Sequence, residues 1–196
     1  MSIDTTIALV SLSDARIHCA IDTGDTTYNA DLEGLINSVS AFFNLYTNRH
    51  LLSISHTEYY DGDGSNVQYL NNYPITAVTS LYIDANHSYG SNSLIDKSEY
   101  IVYEDIGKIV LLNGVFDKGA QSVKIVYTAG YTSVPHDLRQ ACLDQIKFQF
   151  LRWKNNREGI LSVTLEGQSV SMVEVKDLLP SVRIVLDRYV RMRHGS

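Results

Sequence analysis

Gln121-Ser122-Val123-Lys124-Ile125-Val126-Tyr127-Thr128-Ala129-Gly130-Tyr131-Thr132-Ser133-Val134-Pro135-His136-Asp137-Leu138-Arg139-Gln140-Ala141-Cys142 is the stretch in which the chain changes its period. Through Tyr127 it alternates β-branched or aromatic residues with polar ones, as a strand does, and Thr128 to Tyr131 closes that strand with turn chemistry. Pro135 suits the first turn of a helix. Beyond it Leu138, Ala141, Cys142, Gln145, Ile146, Gln149 and Trp153 recur at helical spacing, with Phe148 and Phe150 beside them, until Asn155 to Gly159 ends the run. The segment just before this junction is predicted to be strand, and the segment just after it helix.

Upstream, the strand period holds from Leu52 to Thr128. Ser53 to Tyr60 reads as a strand, Asp61-Gly62-Asp63-Gly64-Ser65 as a turn, and Val67 to Leu70 as the second strand of a hairpin. Asn71-Asn72-Tyr73-Pro74 makes a corner before a strand over Ala77 to Ile83. Tyr100 to Tyr103 and Lys108 to Leu112 flank Asp105-Ile106-Gly107. Short strands joined by polar turns predict an antiparallel sheet. Further upstream the period is helical. Ser13-Asp14 offers caps for a short helix through Ile21, and a second helix is predicted from Asn29 to Arg49. Its stripe is Leu32, Leu35, Ile36, Val39, Phe42, Phe43 and Tyr46.

Downstream, Ile160 to Val175 reads as two β-like arms around Glu166-Gly167, within a loop or hairpin arm at 156–180. Leu161, Val163 and Leu165 share one side of that arm, and a lone hairpin buries such side chains poorly. They are the candidate inter-subunit contact. A last helix is predicted at 181–193, with Val182, Val185, Leu186 and Tyr189 on one side, a stripe about two turns long that needs a partner. Those four are the candidate docking residues. The fold class is therefore α+β: a small helical bundle with an inserted antiparallel sheet at 52–128, in the order helix, helix, strands, helix, loop, helix, within one domain at 1–196.

Composition sets bounds on function. In 196 residues, 44% are hydrophobic and 19% charged, ordinary for a globular chain. No apolar run approaches the roughly 18 residues of a membrane span. Met1 to Leu12 lacks the basic and cleavage features of a signal peptide. Cys19 and Cys142 sit in apolar helical patterns and are expected as buried free thiols. The net charge is −6, unevenly spread: residues 1–146 hold 7 Lys/Arg against 17 Asp/Glu, and residues 147–196 hold 9 against 5. An acidic body is a poor counterion-release binder of nucleic acid. The basic end suits either a solvated helix face or docking on an acidic partner.

Motifs for chemistry are wanting. Asp61-x-Asp63-x-Ser65 begins like a calcium loop, but Asn66 and Asn72 stand where Gly and Glu belong. None of the six histidines lies four residues from another, and His50 and His56 are expected to cap or face solvent. There is no G-x-S-x-G, no P-loop and no dinucleotide fingerprint. The 13 tyrosines fit half-buried sheet positions or contacts between subunits equally.

Two stretches resemble a known family. Tyr59-Tyr60-Asp61-Gly62-Asp63-Gly64-Ser65, followed by Leu70-Asn71-Asn72-Tyr73-Pro74-Ile75-Thr76-Ala77-Val78, resembles the hairpin of phage head–tail connector, or head-completion, proteins. Val126-Tyr127-Thr128-Ala129-Gly130-Tyr131, followed by Val134-Pro135-x-Asp137-Leu138-x-x-Ala141, resembles their sheet-to-helix junction, and Leu12 to Asp22 with Asp31-x-x-x-Leu35-Ile36 their opening helices. The resemblance implies a virion protein without catalysis or cofactor. It implies a ring, typically dodecameric, on the portal protein, presented to the next connector or tail protein, with the subunit waiting as a monomer. DNA would pass through the channel without specific binding, and no membrane is involved. It also implies that the C-terminal segment touches the portal. The competing readings are another virion ring component, such as a tail-completion protein, and a small hydrolase using Asp and His from separate strands.

Overall fold

A computed structural model describes residues 2–22, 24–154, 162–165, 168–171 and 178–191. The chain folds as two compact units, Met1–Thr47 with Val134–Val190, and Asn48–Ser133 with Arg191–Ser196.

The first unit is helical. α1 (Leu12–His18) starts two residues earlier than expected. Ser11, not Ser13, is the N-cap, and with Asp14 it forms a capping box that satisfies the Ser11 and Asp14 amides. α2 (Asn29–Thr47) ends because Asn48 takes a left-handed φ of 54°, a conformation asparagine tolerates at a helix end. Its buried stripe is Leu32, Ile36, Val39, Ser40, Phe43 and Thr47. Two members are polar, and each is bonded. The Leu9 amide donates to Ser40 Oγ at 3.1 Å, and Thr47 Oγ1 donates to Phe43 O at 2.8 Å. Phe42, expected in the stripe, lies one residue off it and is exposed.

α3 (His136–Lys154) buries Leu138, Ala141, Cys142, Leu143, Gln145, Ile146 and Phe150. Its stripe therefore swings to Phe150, leaving Trp153 exposed. Tyr28 meets the Phe150 ring edge-on at 5.4 Å. Both cysteines are free and buried. The Cys142 thiol is pushed up to about 12 by burial, as an inert packing residue would be. α4 (Pro180–Asp187) is shorter than expected. The Arg188 and Tyr189 amides turn back to Val185 O and Leu186 O, and these tight bonds end the helix.

The second unit holds two three-stranded antiparallel sheets, where one sheet was expected. β1 (Ile54–Gly62), β6 (Gly119–Ala129) and β3 (Ile75–Ile83) form the first, in the order β1-β6-β3. β2 (Val67–Tyr69), β5 (Lys108–Leu111) and β4 (Tyr100–Tyr103) form the second, in the order β2-β5-β4. The predicted β1–β2 hairpin does not form a ladder. Gly64, at φ +84°, donates its amide to Phe116 O, and the Phe116 amide donates to Ser65 O. The turn is thereby tied to the far end of β5, and β2 pairs with β5 instead. A separate pair, β7 (Ser162–Leu165) and β8 (Gln168–Ser171), follows α3 in sequence.

The core of the sheet unit is built on β6. Val123, Ile125, Tyr127 and Ala129 are each 0% exposed and meet Leu70, Ile75, Leu81, Ile109, Leu111 and Phe116. Each such aliphatic side chain contributes about 1.5–3 kcal/mol by leaving water. The two ends of the unit are pinned together at Gly130. The Tyr131 amide donates to Leu51 O at 2.7 Å, and the Ser53 amide to Tyr131 O at 3.1 Å. A Cβ at Gly130, whose φ is +110°, would lie 2.3 Å from Leu52 O. Gly130→Ala is therefore expected to cost about 2–4 kcal/mol in urea unfolding. Gly90→Ala, with nothing within 4 Å of the new methyl, is expected to leave the midpoint in place.

Candidate assembly surfaces

The motif-bearing turn is engaged locally. Asp63 Oδ1 accepts the Ser65 amide at 2.7 Å and Asp61 Oδ1 accepts the Gln121 amide at 2.7 Å. The Ser65 hydrogen bonds hold the Asp63 carboxyl below its ordinary range. The two carboxylates thus shape a turn and fasten it to β6. Among the described residues, no three His, Cys, Asp or Glu side chains are grouped to hold a metal.

A dense polar cluster lies in the sheet unit, where β1 and β6 meet the Asn71–Pro74 corner. Strand alternation turns His56, Glu58 and Tyr60 to the same side of β1, opposite Tyr127, Ile125 and Val123 of β6. Glu58 accepts hydrogen bonds from Tyr127 Oη at 2.7 Å, from Asn72 Nδ2 at 3.0 Å and from Tyr60 Oη. The two phenol oxygens in turn accept from the corner backbone: Tyr60 from the Asn71 amide at 3.0 Å, Tyr127 from the Asn72 amide at 3.3 Å. Arg49 donates to Tyr73 O at 3.0 Å, and its guanidinium lies 4.3 Å from the Tyr73 ring centre. Arg191 Nη1 donates to Asn71 Oδ1 at 2.7 Å.

Burial, with the nearby Glu58 carboxylate, pushes both phenols up, so they stay protonated donors rather than nucleophiles. His56 is buried against the Tyr127 ring, 5.3 Å away, rather than solvated as expected. Burial lowers its pKa, against the pull of Glu58. The cluster ties a corner to a sheet. His50, whose backbone amide donates to Asn72 Oδ1 at 2.8 Å, belongs to the same tie.

Exposed surface on the sheet unit is rich in tyrosine. On β2, β5 and β4, register aligns Tyr69, Lys108 and Tyr103 in one row and Val67, Val110 and Ile101 in the next. Tyr69, Tyr103 and Ile101 are exposed, and Lys108 Nζ lies 4.0 Å from the Tyr103 ring centre. On the first sheet Lys124 Nζ sits 5.2 Å to 5.8 Å from the rings of Tyr59, Tyr82 and Tyr89. No motif announced these rows. The only sequence signal was the frequency of tyrosine in strands.

Two of the four predicted docking residues are buried and two are half-buried. Val182 and Leu186 are 1% and 0% exposed, in the core of the helical unit. Val185 is half-buried, and so is Tyr189, whose Oη donates to Asp137 Oδ1 at 2.6 Å. The stripe found its partner within its own unit, against α2 and α3. The outward side of α4 carries Arg183, Ile184, Asp187 and Arg188 instead, with Ile184 61% exposed. Leu161 lies outside the described residues, as do the side chains of Val163 and Leu165. The backbone around the latter two forms the β7–β8 pair.

The tyrosines give the cluster a pH signature. Both phenols hold their protons more tightly folded than unfolded, so their contribution is intact below the unfolded pKa of about 10 and is lost as pH rises beyond it. Urea titrations from pH 9 to 11 are expected to show a falling midpoint, by up to about 1.4 kcal/mol per pH unit per tyrosine. Tyr127→Phe is expected to flatten that slope.

Comparison with known proteins places these surfaces in context. A family model described as head completion protein matches residues 8–192. No curated protein matches the chain. Among solved structures, a chain from the neck of an empty gene transfer agent particle, computed with C6 symmetry, aligns with a TM-score of 0.65 and 18% identity, covering 100% of this chain and 96% of that one. A chain from the neck of the native particle, computed with C12 symmetry, gives 0.63 at 18% identity over 100% and 95%. One from the native virion gives 0.62 at 18% identity over the same shares. At that identity the likeness is one of fold.

Proposed function

We propose the function from one premise: the chain belongs to the head completion protein family. It serves as a structural subunit at the head–tail junction of a phage-like particle, in a ring that sits on the portal protein. The ring extends the DNA channel and presents its other side to the next connector or tail protein. The observation that carries this reading is the extent of the family match, from residue 8 to 192, through both the helical and the sheet units. The gene transfer agent chains of the same fold come from particle necks, which supports the placement.

The physical features agree with a ring subunit. Exposed tyrosine and isoleucine on the second sheet suit lateral contact, where aromatic residues are favoured. The net charge of −6, with the surplus of acid in residues 1–146, lets DNA move past with few phosphate contacts. The high-pKa tyrosines of the Glu58 cluster and the engaged carboxylates of the 61–65 turn are better suited to fastening loops than to turnover.

Sedimentation of the purified protein alone and with its portal tests the reading. A slow, weakly associating species alone and co-sedimentation with portal rings are expected; no attachment at any concentration would defeat it. The outward side of α4 is our portal-contact candidate. Ile184→Asp is expected to weaken attachment at least tenfold with an unchanged urea midpoint, since the side chain is 61% exposed. Leu186→Ala, at a fully buried position, is expected to lower stability by about 2–5 kcal/mol instead.

A further inference from the structure

Two sets of strands in this chain are incomplete. In the sheet unit, β3 and β4 are each the edge strand of a sheet. Both contribute to the wall of a cleft of about 230 Å³ lined by Ile75, Thr76, Tyr100 and Val102, together with Lys97 and Glu104. The Leu112 amide donates to Glu99 O at 2.9 Å. Antiparallel alternation then turns the main chain of Ile101 and Tyr103 toward β5, and aims the N–H and C=O of Tyr100 and Val102 away from it. On the other wall the Gly130 amide donates to Pro74 O at 2.9 Å, so Ile75 aims its main chain away from β6. Farther along β3 the same edge is covered, by the Ile95 amide donating to Leu81 O at 2.8 Å and by the bridge between Tyr82 and Leu94. Strand edges with outward-aimed amides and carbonyls are templates for another strand.

The other incomplete set is the β7–β8 hairpin. Among the described residues its strands pair only with each other, four residues against four. A two-stranded ribbon is marginal in water and gains stability from a third strand. We propose that in the ring a strand of the β7–β8 hairpin of a second copy adds to the β3 and β4 edges at this cleft, by main-chain pairing. This rests on the ring reading above. The cleft offers edges on both sides, and the hairpin offers strands that, among the described residues, pair with no third strand. Donor and acceptor are different parts of the chain, so each copy gives its hairpin to one neighbour and receives from the other. Such a head-to-tail contact generates a ring when the rotation closes.

Two single variants test this. Thr76→Cys places a thiol at the cleft and Thr164→Cys places one on β7, while the native Cys19 and Cys142 are buried. The two proteins are mixed, assembled on the portal and mildly oxidised. A cross-linked dimer is expected from the mixture and from neither variant alone. Hydrogen exchange at residues 75–78 and 100–103 is expected to slow on assembly, and that protection to be lost when 162–171 is replaced by a Gly-Ser linker. Rings that form with neither the cross-link nor the protection overturn the proposal and leave the neck reading standing. A third chain carrying both Thr76→Cys and Thr164→Cys completes the test: a cross-link formed within that chain, with none in the mixture of single variants, overturns the proposal too, by assigning the cleft to the chain's own hairpin. Failure to join the portal at all overturns the neck reading and this proposal with it.

Discussion

The sheet unit depends on β6 being paired on both sides and buried on one face. Its eleven residues, Gly119–Ala129, hold β1 on one edge and β3 on the other. Its inward side chains, Val123, Ile125, Tyr127 and Ala129, have no exposed surface. A one-residue slip would send all four to the opposite face, so the register is strongly specified. Tyr127 adds direction to this burial. Its hydroxyl must find partners once buried, and it finds the Glu58 carboxylate and the Asn72 amide. The corner at Asn71–Pro74 is thus positioned by the same strand that makes the core.

The helical unit reaches closure by another route. α2 and α3 supply most of the buried surface, and α4 packs Val182 and Leu186 onto them. Two polar side chains inside it have backbone partners: Ser40 accepts the Leu9 amide and Gln145 the Leu179 amide, each at 3.1 Å. His18 bonds Asp144 at 2.9 Å and Arg139 bonds Asp14 at 2.7 Å, tying α1 to α3 through partly exposed pairs worth little in stability but useful in register. What these interiors leave on the surface is the tyrosine rows of the sheet unit, the outward side of α4 and the open strand edges.

The sequence by itself determined the element types and their order. Period 2 from Leu52 to Thr128 and period 3.6 on either side are local properties, set by side-chain spacing and by caps, so the α+β class and the place of the junction before Pro135 were legible. So was the family, because its turn and junction residues, from Tyr59 to Ser65 and from Val126 to Ala141, are contiguous in the chain. Strand pairing was decided only in three dimensions. Whether β2 returns on β1 or crosses to β5 depends on where the Gly64 and Ser65 backbone finds partners, and those lie at Phe116, far along the chain. The burial of Val182 and Leu186 was likewise decided by tertiary packing. An apolar stripe such as Val182–Leu186 says that a helix has a partner, since exposed apolar surface is costly, but not whose side chains supply it. Here the partner is the helical unit itself, and the surface left for others, around Ile184, carries no pattern that a one-dimensional reading could distinguish from a solvated face.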